Sequence, residues 1–255
     1  MNNLSHPKDS LSIIICNGRD SFPINTINSL LNEIDYLNDE ILIIGKNEIP
    51  NEIVMHGDKI KYLKINDIRA NIKRNYGASI AKGEYILFLD DDVQIRSGWR
   101  GVISKNIISG GFIFYSELII NNIKITNVPN ENGLIIKTEL FNNILYDINI
   151  GPGTIYGSSE VYDLIHRFKL KYRLKPKRIP VQIDHPEILN GHEVNKVKNY
   201  SMGNGYVLAK NSLLLILLIT LVKCIIRLLF PGKNSRKYYA IRFLSLILGY
   251  ISFDK

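Results

Sequence analysis

The chain has 255 residues, 45% of them hydrophobic and 22% charged, which suits one α/β domain or a domain with an appendage and excludes a disordered tail. Only Cys16 and Cys224 occur, so a disulfide framework and a thiolate zinc cluster are excluded and a reducing compartment is expected. The net charge of +8 is lopsided: residues 1–193 hold 22 basic and 23 acidic side chains, residues 194–253 nine basic ones and no acid.

The opening MNNLSHPKDS lacks the apolar stretch of a secretory signal. Leu11–Cys16 reads as a buried first strand, followed by a helix near Ile24–Leu37 and strands at Glu40–Ile44 and Lys61–Ile65. Ile68, Ile72, Tyr76 and Ile80 recur at four-residue spacing, predicting an amphipathic helix over Ile68–Lys82 with Gly83 as its C′ glycine. Glu84–Leu89, apolar after its first residue, reads as a central strand. Strand-like runs follow at Gly111–Leu118, Ile123–Val128 and Gly133–Lys137. The glycine-rich GPGTIYG (Gly151–Gly157) leads into a helix over Ser158–Lys171 and a short strand at Arg178–Ile183. The alternation predicts an α/β fold with an open, mixed, mostly parallel sheet flanked by helices.

FLDDDV, Phe88 to Val93, is the sharpest local feature. Three adjacent carboxylates at the carboxyl end of a buried strand repel one another, and open α/β sheets bind ligands at that end. A hard divalent cation would neutralise them and bridge to phosphate oxygens. A solvated turn, with one Asp capping a helix from Ser97 onward, is the alternative reading.

The run Lys73-Arg74-Asn75-Tyr76-Gly77, the turn Ala81-Lys82-Gly83-Glu84-Tyr85 and the strand ending in Asp90-Asp91-Asp92 together resemble the family 2 glycosyltransferases of the GT-A fold, of the bacterial surface-polysaccharide type. Leu11–Cys16, Gly133–Lys137, GPGTIYGSSE ending at Glu160, and Ile183-Asp184-His185-Pro186 extend the resemblance in order over about residues 11–210. It implies that Asp90 contacts the nucleoside side of a nucleotide sugar, with Asp91 beside it. Asp92 would ligate Mn²⁺ or Mg²⁺ on the diphosphate, with His185 as a further metal or phosphate ligand. Arg19 and Arg74 are cationic candidates for the nucleotide or diphosphate. Solvated loop and helix roles are their alternatives.

Inverting transfer needs a base for the acceptor hydroxyl. Relatives carry a second acid where this chain has Val161, leaving Glu160, or Asp163 on nearly the same helix face. Both acids would also favour a helix N-terminus by its dipole. Relatives often have an Asp after the second strand, whereas this chain has Ile43-Ile44-Gly45-Lys46-Asn47, so base recognition falls to backbone near Gly45 or elsewhere.

Ser212–Phe230, 19 residues, makes about 28 Å of helix at ~1.5 Å per residue, near bilayer thickness. Lys223 and Arg227 oppose a span. Ser212, Thr220, Lys223 and Arg227 share one helical stripe, and Tyr238, Arg242, Ser245, Gly249 and Ser252 another, so both segments read as interfacial helices with polar stripes toward water or the catalytic domain. Basic and greasy together indicate an anionic membrane surface, not nucleic acid. The expected organisation is a catalytic domain over 1–210 and membrane-associating helices over 211–255. The chain would sit on the cytoplasmic face of the membrane, peripheral or monotopic through residues 212–253. The expected activity is metal-dependent, inverting transfer from a nucleoside-diphosphate sugar to a glycan or lipid-linked glycan in surface-polysaccharide assembly. A non-catalytic nucleotide-sugar-binding scaffold and a nucleotidyltransferase are the rivals. CNGRDSFP argues against the second, offering one glycine and one arginine where a phosphate loop needs more.

Overall fold

The structure is a computed structural model describing residues 9–19, 21–46, 60–125, 128–186, 194–230 and 235–253. Residues 1–8, Asn47, residues 126–127 and the linker Lys233 lie outside these. The chain divides into two compact units, Met1–Tyr146 with Arg167–Ile188, and Asp147–His166 with Leu189–Lys255. The boundary expected after residue 210 lies inside the second unit.

The first unit is built on β1 (Leu11–Cys16), β2 (Glu40–Gly45), β3 (Ile60–Lys64) and β4 (Tyr85–Asp90), paired in parallel in the order β3-β2-β1-β4. All of β1 and β2 is buried, as is β4 up to Leu89, because unbroken apolar runs can be covered on both faces. Beyond β4 the sheet turns mixed. β8 (Leu134–Lys137) pairs antiparallel with β4 and with β6 (Ile113–Ile120), and β9 (Lys177–His185) lies parallel to β6. β5 (Gln94–Ile95) and β7 (Ile123–Ile125) complete it, pairing with β9 and β6. Helices α1 (Ile24–Leu31), α2 (Ala70–Ile80), α3 (Trp99–Ile108) and α4 (Thr138–Asn142) flank these strands.

Two local expectations are corrected, and one alternative reading is excluded. The first helix ends at Leu31, not Leu37, because Asp35 and Asp39 draw the following backbone into turns: Asp35 accepts from Leu37 N–H and Asp39 from Asp35 N–H, both at 3.0 Å. Gly83 is no C′ glycine. α2 already ends at Ile80 with Ala81 extended, and a Cβ on Gly83 would lie 2.4 Å from the Ser12 nitrogen, so its role is close approach to β1. Nor does an aspartate of the acidic run cap α3. Its N-cap is Gly98 at φ 85°, whose N–H, with that of Arg100, donates to the carboxylate of Glu33.

The second unit holds the glycine-rich loop, the start of α5 (Glu160–Tyr172), and α6 (Val194–Lys210), α7 (Leu214–Leu229) and α8 (Arg236–Ile251). α6 and α8 approach backbone to backbone. A Cβ on Gly205 would lie 2.1 Å from the Leu246 carbonyl oxygen, and one on Gly249 2.0 Å from that of Met202. The second polar stripe therefore faces α6 in part, with Ser245 and Gly249 buried. α7 turns Leu217 and Cys224 inward. Its outer face carries Leu215, Leu218, Ile219, Val222, Ile226 and Leu229, each at least 47% exposed. At ~100° per residue these six span an arc of about 100°, bordered by exposed Lys223 and Arg227. No described helix is long and apolar enough to cross a membrane.

Candidate active site

The acidic run sits where β4 stops, and its charges are compensated from within the first unit. Asp90 is gripped on both carboxylate oxygens. Arg74 Nη2 donates to Oδ1 at 2.9 Å, and Asn132 Nδ2 donates to Oδ2 at 3.0 Å while Asn132 Oδ1 accepts from Asp90 N–H at 2.8 Å. Asn132 precedes β8, and Gly133 at φ 84° lets the chain turn there, its N–H donating to the Phe88 carbonyl. Arg74 is 1% exposed, also donates to Asn71 Oδ1, and lies 5.5 Å from the Tyr146 ring centre. Burial opposes its charge, but Asp90, with Cys16, Tyr146 and Glu131 behind it, outweighs this and holds its pKa well above the ordinary arginine value. The structure thus puts Arg74 beneath Asp90, bonded to its carboxylate.

Asp91 anchors the loop after β1: its Oδ2 accepts from the N–H groups of Gly18 at 2.8 Å and Arg19 at 3.0 Å. Behind this loop Lys73, 2% exposed, donates from Nζ to the Asn17 carbonyl at 2.8 Å. Burial lowers its pKa, while Cys16 and Asp91 counter the shift. Cys16, at the end of β1, is pushed up to about 12, chiefly by burial, which makes it an inert thiol. Arg19, its side chain 57% exposed, places its guanidinium against Asp91 and Asp92.

Asp92 has a 12% exposed side chain, and the return of β9 brings His185 Nε2 to 4.0 Å from its Oδ1. Burial raises the pKa of Asp92, partly offset by His185 and Arg19. The other ring nitrogen of His185, Nδ1, lies 2.8 Å from the Pro186 carbonyl. A carbonyl only accepts, so in this contact Nδ1 is the donor and Nε2 is the ring nitrogen that faces the carboxylate. An Nδ1–H bond to a backbone carbonyl is the outer-shell contact that orients metal-ligating histidines. Among the described residues no group of three His, Cys, Asp or Glu forms a complete metal site. One carboxylate and one imidazole fit a divalent ion whose other ligands are phosphate oxygens and water.

Two contributors escape sequence reading, Lys73 and Asn132, because their partners are 56 and 42 residues away. A third is Glu131, whose carboxyl pKa is raised by burial and then by Asp90. A Cβ on Gly45 would lie 2.5 Å from the Tyr62 hydroxyl, so a side chain there would require the Tyr62 ring to shift. Asn132→Ala removes the acceptor for Asp90 N–H, and a destabilisation of ~1–3 kcal/mol in urea unfolding is expected. Asn132→Asp keeps that acceptor but sets a second charge against Asp90, so its loss in urea unfolding should exceed that of the alanine variant.

In the second unit, Gly151 (φ 93°) and Gly153 (φ 89°) bend the loop so that Gly151 N–H donates to the Tyr156 carbonyl at 2.8 Å. α6 holds the turn that follows. Ser158 Oγ donates to the Tyr200 carbonyl, Ser159 Oγ donates to Asn204 Oδ1, and a Cβ on Gly203 would strike Ser158. Ser159 takes φ 77°, a strained conformation for serine, immediately before Glu160 opens α5. Glu160 is 5% exposed and Val161 6%. Asp163 is fully buried, accepting from Lys210 Nζ and Asn211 Nδ2, each at 3.1 Å.

The family model for glycosyl transferase family 2 matches residues 10–157. No curated protein matches the chain. Among solved structures, GalNAc-T7 with UDP, GalNAc and Mn²⁺ is similar at TM-score 0.58 and 14% identity, covering 78% of this chain. The chain spans only 47% of GalNAc-T7's length. S. aureus TarS 1–349 is similar at TM-score 0.58 and 13% identity over 96% of this chain and 72% of that one. Its complex with UDP-GlcNAc gives 0.57 and 11%, over 96% and 73%. These likenesses establish the α/β architecture as the GT-A fold. With more than half of its length matched by the family model, the chain belongs to glycosyl transferase family 2.

Proposed function

We propose that this glycosyltransferase is metal-dependent and inverting, taking a sugar from a nucleoside diphosphate to a glycan or lipid-linked glycan in surface-polysaccharide assembly. The observation that carries it is the meeting of Asp92, His185 and Arg19 at the carboxyl end of β4. Asp92 and His185 would hold Mn²⁺ or Mg²⁺, which when bound supplies positive charge to the leaving diphosphate. Asp90, fixed by Arg74 and Asn132, receives the nucleoside side of the donor, and Arg19 contacts the diphosphate. Glu160 takes the proton of the acceptor hydroxyl as it attacks the anomeric carbon from the face opposite the leaving group. Asp163 stays with Lys210 and Asn211 as the support of the α5 start. GalNAc-T7 with Mn²⁺ and UDP, and TarS with UDP-GlcNAc, support a metal and a uridine donor by analogy.

The exposed apolar arc of α7, edged by Lys223 and Arg227, supports attachment to an anionic membrane surface on its cytoplasmic face through residues 212–253, with catalysis over 1–210. Incubation with a panel of nucleotide sugars and Mn²⁺ or Mg²⁺ should release UDP or GDP from one donor, and EDTA should stop it. Nucleotide binding without release from any donor would instead favour a scaffold, the reading that buried Val161 in place of an acid also supports.

A further inference from the structure

Within the second unit two cavities meet at Arg242. One, of about 160 Å³, is lined by Ser159, Tyr162, Asn204, Ile216, Thr220 and Arg242 among others. The other, of about 210 Å³, is lined by Lys196, Tyr200, Asn204, Tyr238 and Arg242 among others. Arg242 and Asn204 belong to both. Arg242 is half-buried. Its Nη1 donates to the Tyr238 hydroxyl at 3.3 Å, and its side chain also bonds Cys224. Among the described residues no carboxylate pairs with it, and neither cavity is lined by an acid. A half-buried guanidinium with donors around it and no counter-charge is an anion site in chemical terms.

The other wall is hydrocarbon. Val207, Leu208, Leu246 and Ile216 line the first cavity, and Ile216, 42% exposed on α7, adjoins Ile219 of the apolar arc one turn on. Polar head groups therefore have Lys196, Arg242, Asn204 and Tyr238, and a hydrocarbon chain has Ile216 and the α7 face beyond it.

We propose that this groove binds the phosphate or diphosphate head of an amphiphile whose hydrocarbon tail lies along α7. The inference deepens the functional reading above, on which it rests for the amphiphile's role as acceptor, by naming that acceptor as a lipid phosphate ester. Phosphodiester head groups of the surrounding bilayer share this chemistry, and the test separates the two sources.

The test is calorimetry of the full chain in neutral detergent with EDTA present, which keeps metal out of the donor site. The probes are farnesyl diphosphate, farnesol, inorganic diphosphate and dihexanoyl phosphatidylglycerol. Farnesyl diphosphate should bind more tightly than farnesol or inorganic diphosphate. Arg242→Gln should weaken it by about tenfold or more, the loss of one charge-assisted contact, while Arg242→Lys recovers most of it. Lys196→Glu gives a second reading should the Arg242 variants misfold by circular dichroism. A preference for farnesyl diphosphate over the phosphatidylglycerol identifies an acceptor site, and equal affinity with equal Arg242 dependence identifies a membrane head-group site. Unchanged affinity in both Arg242→Gln and Lys196→Glu, or displacement of farnesyl diphosphate by UDP, overturns the proposal. Because no sugar transfer is measured, failure of the donor panel leaves this result readable by itself.

Discussion

Asp92→Ala is expected to lower sugar transfer by roughly 10³-fold or more, the scale of losing a principal electrostatic stabiliser of a leaving group. Asp92 is the one carboxylate of the run that faces both His185 and the exposed Arg19, whereas Asp90 is committed to Arg74 and Asn132 and Asp91 to the loop N–H groups. The measurement is initial rate against Mn²⁺ concentration, with unfolding followed in parallel. Removing a burial-penalised carboxylate should leave stability nearly intact, so a dead but folded enzyme is the expected outcome. Full turnover by the variant would exclude Asp92 from the reaction.

Glu160→Gln is expected to reduce turnover by ~10²–10⁴-fold with nucleotide affinity unchanged, since a general base acts on the acceptor and not on the donor. Asp163→Asn supplies the contrast. Asp163 is fully buried against Lys210, and breaking a buried pair from one side costs ~3–5 kcal/mol, so that variant should melt earlier. A stable Asp163→Asn protein that binds nucleotide but no longer transfers would move the base assignment to Asp163.

How much of this was legible beforehand depends on range. The strands β1, β2 and β4 announce themselves as unbroken apolar runs, and the DDD run at the end of β4 marks the ligand edge of an open α/β sheet without any knowledge of partners. His185 could be placed only by resemblance, because nothing in its own neighbourhood says that β9 returns to Asp92. Arg74 reads as a cationic candidate for the nucleotide or diphosphate, with a solvated helix role as its alternative, and the sequence assigns Lys73 no partner. Both are buried, Arg74 against the Asp90 carboxylate and Lys73 against the Asn17 carbonyl, placements visible only once α2 is set beside β1 and β4. The same holds for the α3 cap, supplied by Glu33 from 65 residues away, and for Gly83, whose small size serves β1 and not its own helix end. The C-terminal stripes followed from spacing, but not that one of them would meet α6 through paired glycines.

That glycine contact changes what a truncation can mean. With Gly205 against Leu246 and Gly249 against Met202, the last helix is a structural partner of the segment just upstream of residue 211 and not a detachable tail. Trimming the chain there would strip α6 of its cover and slacken the Ser158–Ser159 bend that α6 secures ahead of Glu160. A truncation there would disturb the α5 start as well as remove α7, so the proposed membrane attachment is better tested by replacing the outward apolar side chains of α7 with polar ones than by cutting.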